Sequence, residues 1–274
     1  VGATQAQLLA QVALGFELGH AHLRIDLSLT QLLQQVLIGQ IAPPGRFVHA
    51  LFGQLLQQGL AAHAVVVGNV LDDLVDRGPD SAGVLRLARE WQARRPLRAL
   101  MGNHEEMFLD AFTKEDVLRH FLRHGGRETI LSYPVDEAVY AEATLAETQA
   151  LMAQAVPAED IAFMQSMEDM IQLGDYLFVH AGIRPGIPLA EQRSGDLRWI
   201  REPFVTTPDD LGLTVVYGHT IYERVELAPS RIGIDTGAYA SGRLTALGLE
   251  GTSRWLIETS VEDGTISVSQ RSLP

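Results

Sequence analysis

Two periodicities alternate along the chain. Apolar residues recur at helical spacing over 7–18 and 51–60, which predicts helices there. The stretch 63–71, with an unbroken apolar run over 64–67, predicts a buried strand. It runs into Asp72 and Asp73 and then a turn at Gly78-Pro79-Asp80. Ser81 opens a predicted helix ending near Gln92. A short strand is expected over 98–101, stopping at Gly102-Asn103-His104. Residues 105–170 carry a mostly helical pattern, broken at Gly125-Gly126, Pro134 and Pro157, with the Met and Phe spacing over 152–170 reading as a core stripe. Strands follow over 176–180, 215–217 and 231–235, and then a meander over 244–249, 255–259 and 266–270. Strand–helix–strand early and consecutive strands late imply a layered α/β sandwich.

Charge is distributed unevenly over this pattern. The 274 residues hold 21 Lys and Arg against 34 Asp and Glu, a net charge of −13. That balance excludes a broad basic footprint, so no nucleic-acid partner is expected. Residues 1–71 carry only Glu17, Arg24, Asp26 and Arg46, with ten glutamines, so the whole negative charge lies beyond them. The most apolar run, 51–71, is interrupted by Gln54, Gln57, Gln58 and His63, and no membrane span is expected. No secretory signal is expected either, because the first residues lack a basic stretch and Glu17 closely follows the first apolar run. There is no cysteine. Thiol catalysis, thiolate-bound zinc and a disulfide scaffold are thereby excluded, and a cytoplasmic location is the expectation.

The candidate chemistry gathers where predicted strands stop. Four times an apolar run ends at residue types that bind metals: Asp72-Asp73, Gly102-Asn103-His104-Glu105, His180-Ala181-Gly182 and Gly218-His219-Thr220. Ligands in open α/β sheets bind at the carboxyl ends of strands. Oxygen and imidazole donors without thiolate suit Mn, Fe, Zn or Mg, and the imidazoles turn the choice away from Ca and Mg. Elsewhere the residues read as ordinary structure: His120 and His124 as a solvated helix face, Arg94-Arg95 as charge at a helix end.

The segments LVDRGPDS (74–81), MGNHEE (101–106), LFVHAG (177–182), VVYGHT (215–220) and IDTGA (234–238) resemble the bacterial branch of the phosphoprotein phosphatase family, calcineurin-like metallophosphoesterases that include serine/threonine protein phosphatases. The resemblance spans roughly 64–260. It implies two mixed sheets packed face to face with helices outside, a metallophosphoesterase domain over 64–274, and a helical insertion over about 107–172 capping the site. It also implies roles. Asp73 would bridge two divalent metal ions, manganese first among the candidates. Asn103, His180 and His219 would complete the second of them. His104 would be the general acid, oriented by Asp76. Arg77 and Arg201 would clamp the phosphate, and Asp235 would support the site from behind. Arginine forks match phosphate oxygens, and a positioned imidazole can protonate a leaving alkoxide.

One departure is plain. The family's earlier motif, GDxHG, supplies an Asp and a His to the first metal, and no Asp-x-His occurs anywhere in this chain. At the expected distance stands Arg46-Phe47-Val48-His49, where His49 can replace the motif histidine but Phe47 cannot bind a metal. Asp72 stands where the family has Gly beside Asp73. On these motifs the first metal keeps Asp73 alone, which leaves two ions if His49, Asp72 or others supply the missing ligands and one ion if they do not. The sudden loss of charge sets 1–71 apart as an atypical segment, packed on or replacing the first part of the fold. The resulting expectation is a metal-dependent phosphomonoesterase, a serine/threonine protein phosphatase first, acting on a phosphorylated protein or small phosphoester. A symmetric dinucleoside tetraphosphate hydrolase and a phosphate-binding protein with impaired turnover are the alternatives.

Overall fold

The computed structural model describes residues 65–68, 74–93, 97–207, 212–262 and 265–274, all within one compact unit, Ile41–Pro274. The helices expected over 7–18 and 51–60, and the residues Phe47, His49, Asp72 and Asp73, lie outside the described residues.

Strand β1 (Val65–Gly68) leads to helix α1 (Ser81–Gln92), which opens where the sequence predicts. Its N-cap is Asp80, whose carboxylate accepts the Gly83 amide at 3.2 Å. A run of helices follows: α2 (Asn103–Ala111), α3 (Glu115–Phe121), a π-helical turn (Leu122–Gly126), α4 (Arg127–Ser132), α5 (Glu137–Glu142), α6 (Leu145–Ala155) and α7 (Ala158–Gln165). Then come β2 (Met170–Leu173), β3 (Tyr176–Val179), α8 (Ser194–Trp199), β4 (Thr214–Tyr217), β5 (Glu226–Ala228), β6 (Arg231–Gly233) and the short α9 (Ala238–Ser241). The meander β7 (Thr245–Glu250), β8 (Ser253–Glu262) and β9 (Thr265–Leu273) ends the chain.

The strands form two sheets, ordered β1-β7-β8-β9 and β2-β3-β4-β6-β5. The first is antiparallel in each described pairing: β7–β8 and β8–β9 through short turns, and β1–β7 between strands distant in the sequence. The second is mixed, with β3, β4 and β6 parallel at its centre. Period-two alternation sorts side chains between the layers. Phe178, Val216 and Ile232 face Leu247, Leu249 and Leu256 and fill the space between the sheets. The opposite face of the four-stranded sheet, Ala246 and Ile257, packs on the helices through Leu85, Phe108 and Phe121. The opposite face of the mixed sheet, Leu177, Val179, Val215 and Tyr217, is covered by Ile183, Leu197 and Phe204.

Two expectations change. Residues 98–101 do not form a strand; a single parallel bridge joins Leu100 to Glu168. Two backbone hydrogen bonds, Met101 N–H to Glu168 O and Glu168 N–H to Ala99 O, hold this segment against the far end of the helical run. The helical pattern also stops before Met170. Met170–Leu173 instead pairs with β3 in a hairpin, from Met170 opposite Val179 to Leu173 opposite Tyr176. Gly174, at φ 57°, supplies the left-handed residue that a two-residue hairpin loop needs.

Candidate active site

Strand register brings the first two histidines together. β3 and β4 are parallel neighbours, with Phe178 opposite Val216, so both chains leave the sheet at the same edge. His180 and His219 follow these ends, and Gly218 N–H donates to His180 O at 2.8 Å. Asn103, the first residue of α2, meets them there. His180 Nε2 lies 2.6 Å from Asn103 Oδ1 and 3.1 Å from His219 Nδ1, and His219 Nδ1 lies 3.0 Å from the same Oδ1. All three side chains are buried.

Those three edges test whether a divalent ion fits. Bonds of about 2.1 Å at right angles place neighbouring ligand atoms roughly 3 Å apart, close to the separations found. The His219 imidazole is also held in the neutral form that binds a metal. Burial pushes His219 down to about 3, aided by the facing His180 and by Arg201 and His104. A hydrogen bond to the Trp199 backbone opposes the shift. Among the described residues no three His, Asp or Glu side chains converge on their own, so Asn103 is the third donor here. Asp73, the remaining expected ligand, lies outside the described residues.

A second group stands beside the first. Asp76 and Arg77 both hold left-handed backbone, at φ 72° and 60°, as does His219 at 60°. Left-handed backbone is unusual for residues other than glycine, costs of order 1–3 kcal/mol each, and gathers at functional sites. His104 Nδ1 makes a short contact with Asp76 Oδ2, and Arg77 Nη2 donates to His104 Nε2 at 2.9 Å. A guanidinium only donates, so Nε2 is the accepting nitrogen and the ring proton sits at Nδ1, facing Asp76. Burial pushes the Asp76 carboxyl well above the ordinary carboxylate range, opposed by a hydrogen bond from Thr129 and the charge of Arg77. Arg201 is exposed at the edge, its Nη2 donating to His219 O at 3.3 Å.

The expected residues thus fall into a triangle (Asn103, His180, His219) and a chain (Asp76, His104, Arg77), with Arg201 beside the triangle. Asp235 is the exception. Its Oδ1 accepts the Gly237 amide at 2.9 Å and its carbonyl accepts Tyr222 N–H, so its contacts close a turn rather than brace a histidine.

Two contributors, Thr129 and Trp199, escape the sequence reading, and a third, Glu105, is grouped there with the metal-binding types. Thr129, fully buried on α4, accepts the Asp76 amide at 2.7 Å and donates to Asp76 Oδ1 at 2.9 Å. Glu105 Oε1 accepts the amides of Leu74 and Val75, at 2.6 and 3.3 Å, and anchors the loop leading to Asp76. Trp199 lies with its ring edge-on to His219, centroids 6.4 Å apart, and donates through Nε1 to Glu106. Only Glu105 carried a signal in the sequence, as the neighbour of His104. Thr129 and Trp199 act through contacts that no local pattern announces.

Residues 48–223 match the calcineurin-like phosphoesterase family. The chain belongs to that family. Phosphoesterases of this kind are hydrolases that generally use divalent metal ions, which agrees with the buried Asn103–His180–His219 triangle. This phosphoesterase is 31% identical over 180 residues to serine/threonine-protein phosphatase 1 of Salmonella typhimurium, covering 63% of the chain and 74% of that relative. Among solved structures it is similar to one described as a diadenosine tetraphosphatase (TM-score 0.47, 21% identity, 73% of the chain and 78% of the other). It is also similar to a metallophosphoesterase from Sphaerobacter thermophilus (TM-score 0.41, 16% identity, 84% of each chain). Among the described residues of the phosphoesterase no helix is long and apolar enough to cross a membrane.

Proposed function

We propose that this phosphoesterase hydrolyses phosphomonoesters, with phosphoserine and phosphothreonine in proteins as the substrate class. The observation that carries the reading is the adjacency of a buried three-ligand triangle to an Asp76–His104–Arg77 chain. The substrate class rests on the 31% identity to a serine/threonine phosphatase.

Asn103, His180 and His219 would hold a divalent ion, manganese first, together with Asp73 from the sequence. When bound, such an ion polarises the phosphoryl group and supplies a nucleophilic water at neutral pH. The remaining work falls to the chain's own side chains. Arg77 and Arg201 bind the phosphoryl oxygens and stay charged as negative charge builds up there. Nε of Arg77 stays on the His124 carbonyl while Nη2 passes from His104 to the phosphate, which frees the His104 Nε2 to take up a proton from solvent. His104 then gives that proton to the departing alkoxide oxygen as the P–O bond breaks. Asp76 holds Nδ1 throughout and stabilises the protonated ring.

A second reading, a phosphate-binding protein with slow turnover, is favoured by one observation: the chain lacks the Asp-x-His that would complete a first metal. Hydrolysis of p-nitrophenyl phosphate and of a phosphothreonine peptide with added Mn²⁺, against His104→Ala as blank, separates the two. Turnover well above the blank and lost on EDTA supports the enzyme. Phosphate binding without turnover supports the second reading.

A further inference from the structure

Arg77 is held on three sides by groups outside the motifs that mark the site. Its backbone N–H donates to Gly125 O at 3.2 Å and its Nε donates to His124 O at 3.2 Å. Its guanidinium carbon lies 4.8 Å from the centroid of the Tyr239 ring, which is 49% exposed. His124 and Gly125 belong to the π-helical turn Leu122–Gly126. Gly125 there adopts φ 109°, which interrupts the helical ladder and lets these two carbonyls accept from Arg77.

The fit at Gly125 is close. A Cβ at this position would lie 2.5 Å from Arg77 N and 2.6 Å from Arg77 Cγ. Only glycine combines that backbone angle with so near an approach. Two consecutive parts of Arg77 are therefore located by the turn: its left-handed backbone by the Gly125 carbonyl, and the start of its fork by the His124 carbonyl. Tyr239, distant in the sequence, places its ring against the guanidinium as a cation–π partner.

We propose that the π-helical turn and Tyr239 form a clamp that positions Arg77, so that His124, Gly125 and Tyr239 are positioning residues for phosphate binding. The proposal rests on the reading of Arg77 as a phosphate-binding residue. An arginine fixed in advance loses less side-chain freedom when it binds an anion. The Nε donor is committed to His124, so the anion is left to the Nη1 and Nη2 donors, Nη2 being the one that exchanges its contact with His104.

The test is calorimetric titration of inorganic phosphate into the full chain with Mn²⁺. Gly125→Ala is expected to weaken phosphate binding about ten-fold or more, as a left-handed alanine pressed against Arg77 shifts the fork. Tyr239→Leu is expected to weaken it about two- to five-fold, the weight of an exposed cation–π contact, and Tyr239→Phe restores it. The decisive comparison repeats both substitutions in an Arg77→Ala background, where Arg201 and the ion still bind phosphate. There each should change affinity by less than about two-fold, since the clamp has nothing left to hold. Equal losses with and without Arg77 would overturn the clamp and leave the phosphate site standing. A parent protein that binds no phosphate overturns the phosphate reading and the clamp together. If Gly125→Ala fails to fold, the exposed Tyr239 decides alone: a Leu effect that persists without Arg77, or is absent with it, rejects the proposal.

Discussion

Asp76 and Thr129 grip each other twice, although 53 residues separate them: the Thr129 hydroxyl accepts the Asp76 amide and donates to the Asp76 carboxylate. One hydroxyl thus fixes both the left-handed backbone of Asp76 and the orientation of the group facing His104. Replacement by Val keeps the shape and removes both bonds. Thr129→Val should destabilise the fold by about 1–3 kcal/mol, the usual cost of leaving a buried donor unpaired. It should also lower kcat for p-nitrophenyl phosphate, with Thr129→Ser recovering both. Denaturant unfolding and steady-state kinetics check this; a Val variant with parental kcat would show that Asp76 needs no such hold.

Asn103 and His104 are neighbours with separable duties. Asn103→Ala removes one corner of the triangle and should lower the ion retained after dialysis. His104→Ala leaves the triangle whole and should keep the ion while turnover falls about 10²- to 10⁴-fold, the range for loss of a positioned acid. Metal analysis of both variants beside their kcat values checks the pair. Loss of the ion from both would make His104 a structural neighbour of the site.

The pH response of the ion-free protein follows from His219. Its folded pKa is lowered to about 3, against 6.5 for a free imidazole. Between those values the unfolded chain binds a proton that the folded chain does not, so stability rises with pH across the window and is lost as pH falls from 6.5 towards 3. The slope from one such group is at most about 1.4 kcal/mol per pH unit. The raised Asp76 carboxyl works in the opposite sense over part of this range, so the His219 contribution is read as a difference: unfolding of the chelated protein at pH 7, 6, 5 and 4 should lose more stability on acidification in the parent than in His219→Gln. An unchanged slope in the variant would assign the acid sensitivity elsewhere.

Much of this architecture was legible before the structure. α1 and the meander β7–β9 fall where the spacing predicted, because each carries a long, regular pattern bounded by turn residues. The five polar residues that meet at the triangle and at the His104–Asp76 contact were legible because each lies in a short motif. β2 was not, since Met-Ile-Gln-Leu has no period of its own and becomes a strand by pairing with β3. Residues 98–101 failed in the opposite sense: their pattern suits a strand, but the segment gains only one bridge. Gly125-Gly126 was read as a helix break; its purpose is visible only when Arg77 packs against it. Asp235 reads in the sequence as a support behind the site, and the contacts it makes, with Gly237 and Tyr222, are those of a turn.

The triangle joins residues far apart in the chain: Asn103 lies 77 residues from His180 and 116 from His219. Bringing such distant points together carries a loop-closure cost and slows the step in which they meet. The helices, by contrast, close through neighbours a few residues away. On refolding from denaturant, helical ellipticity should therefore return first and ion affinity last, so the capacity to hold a metal reports the completed sandwich rather than any part of it.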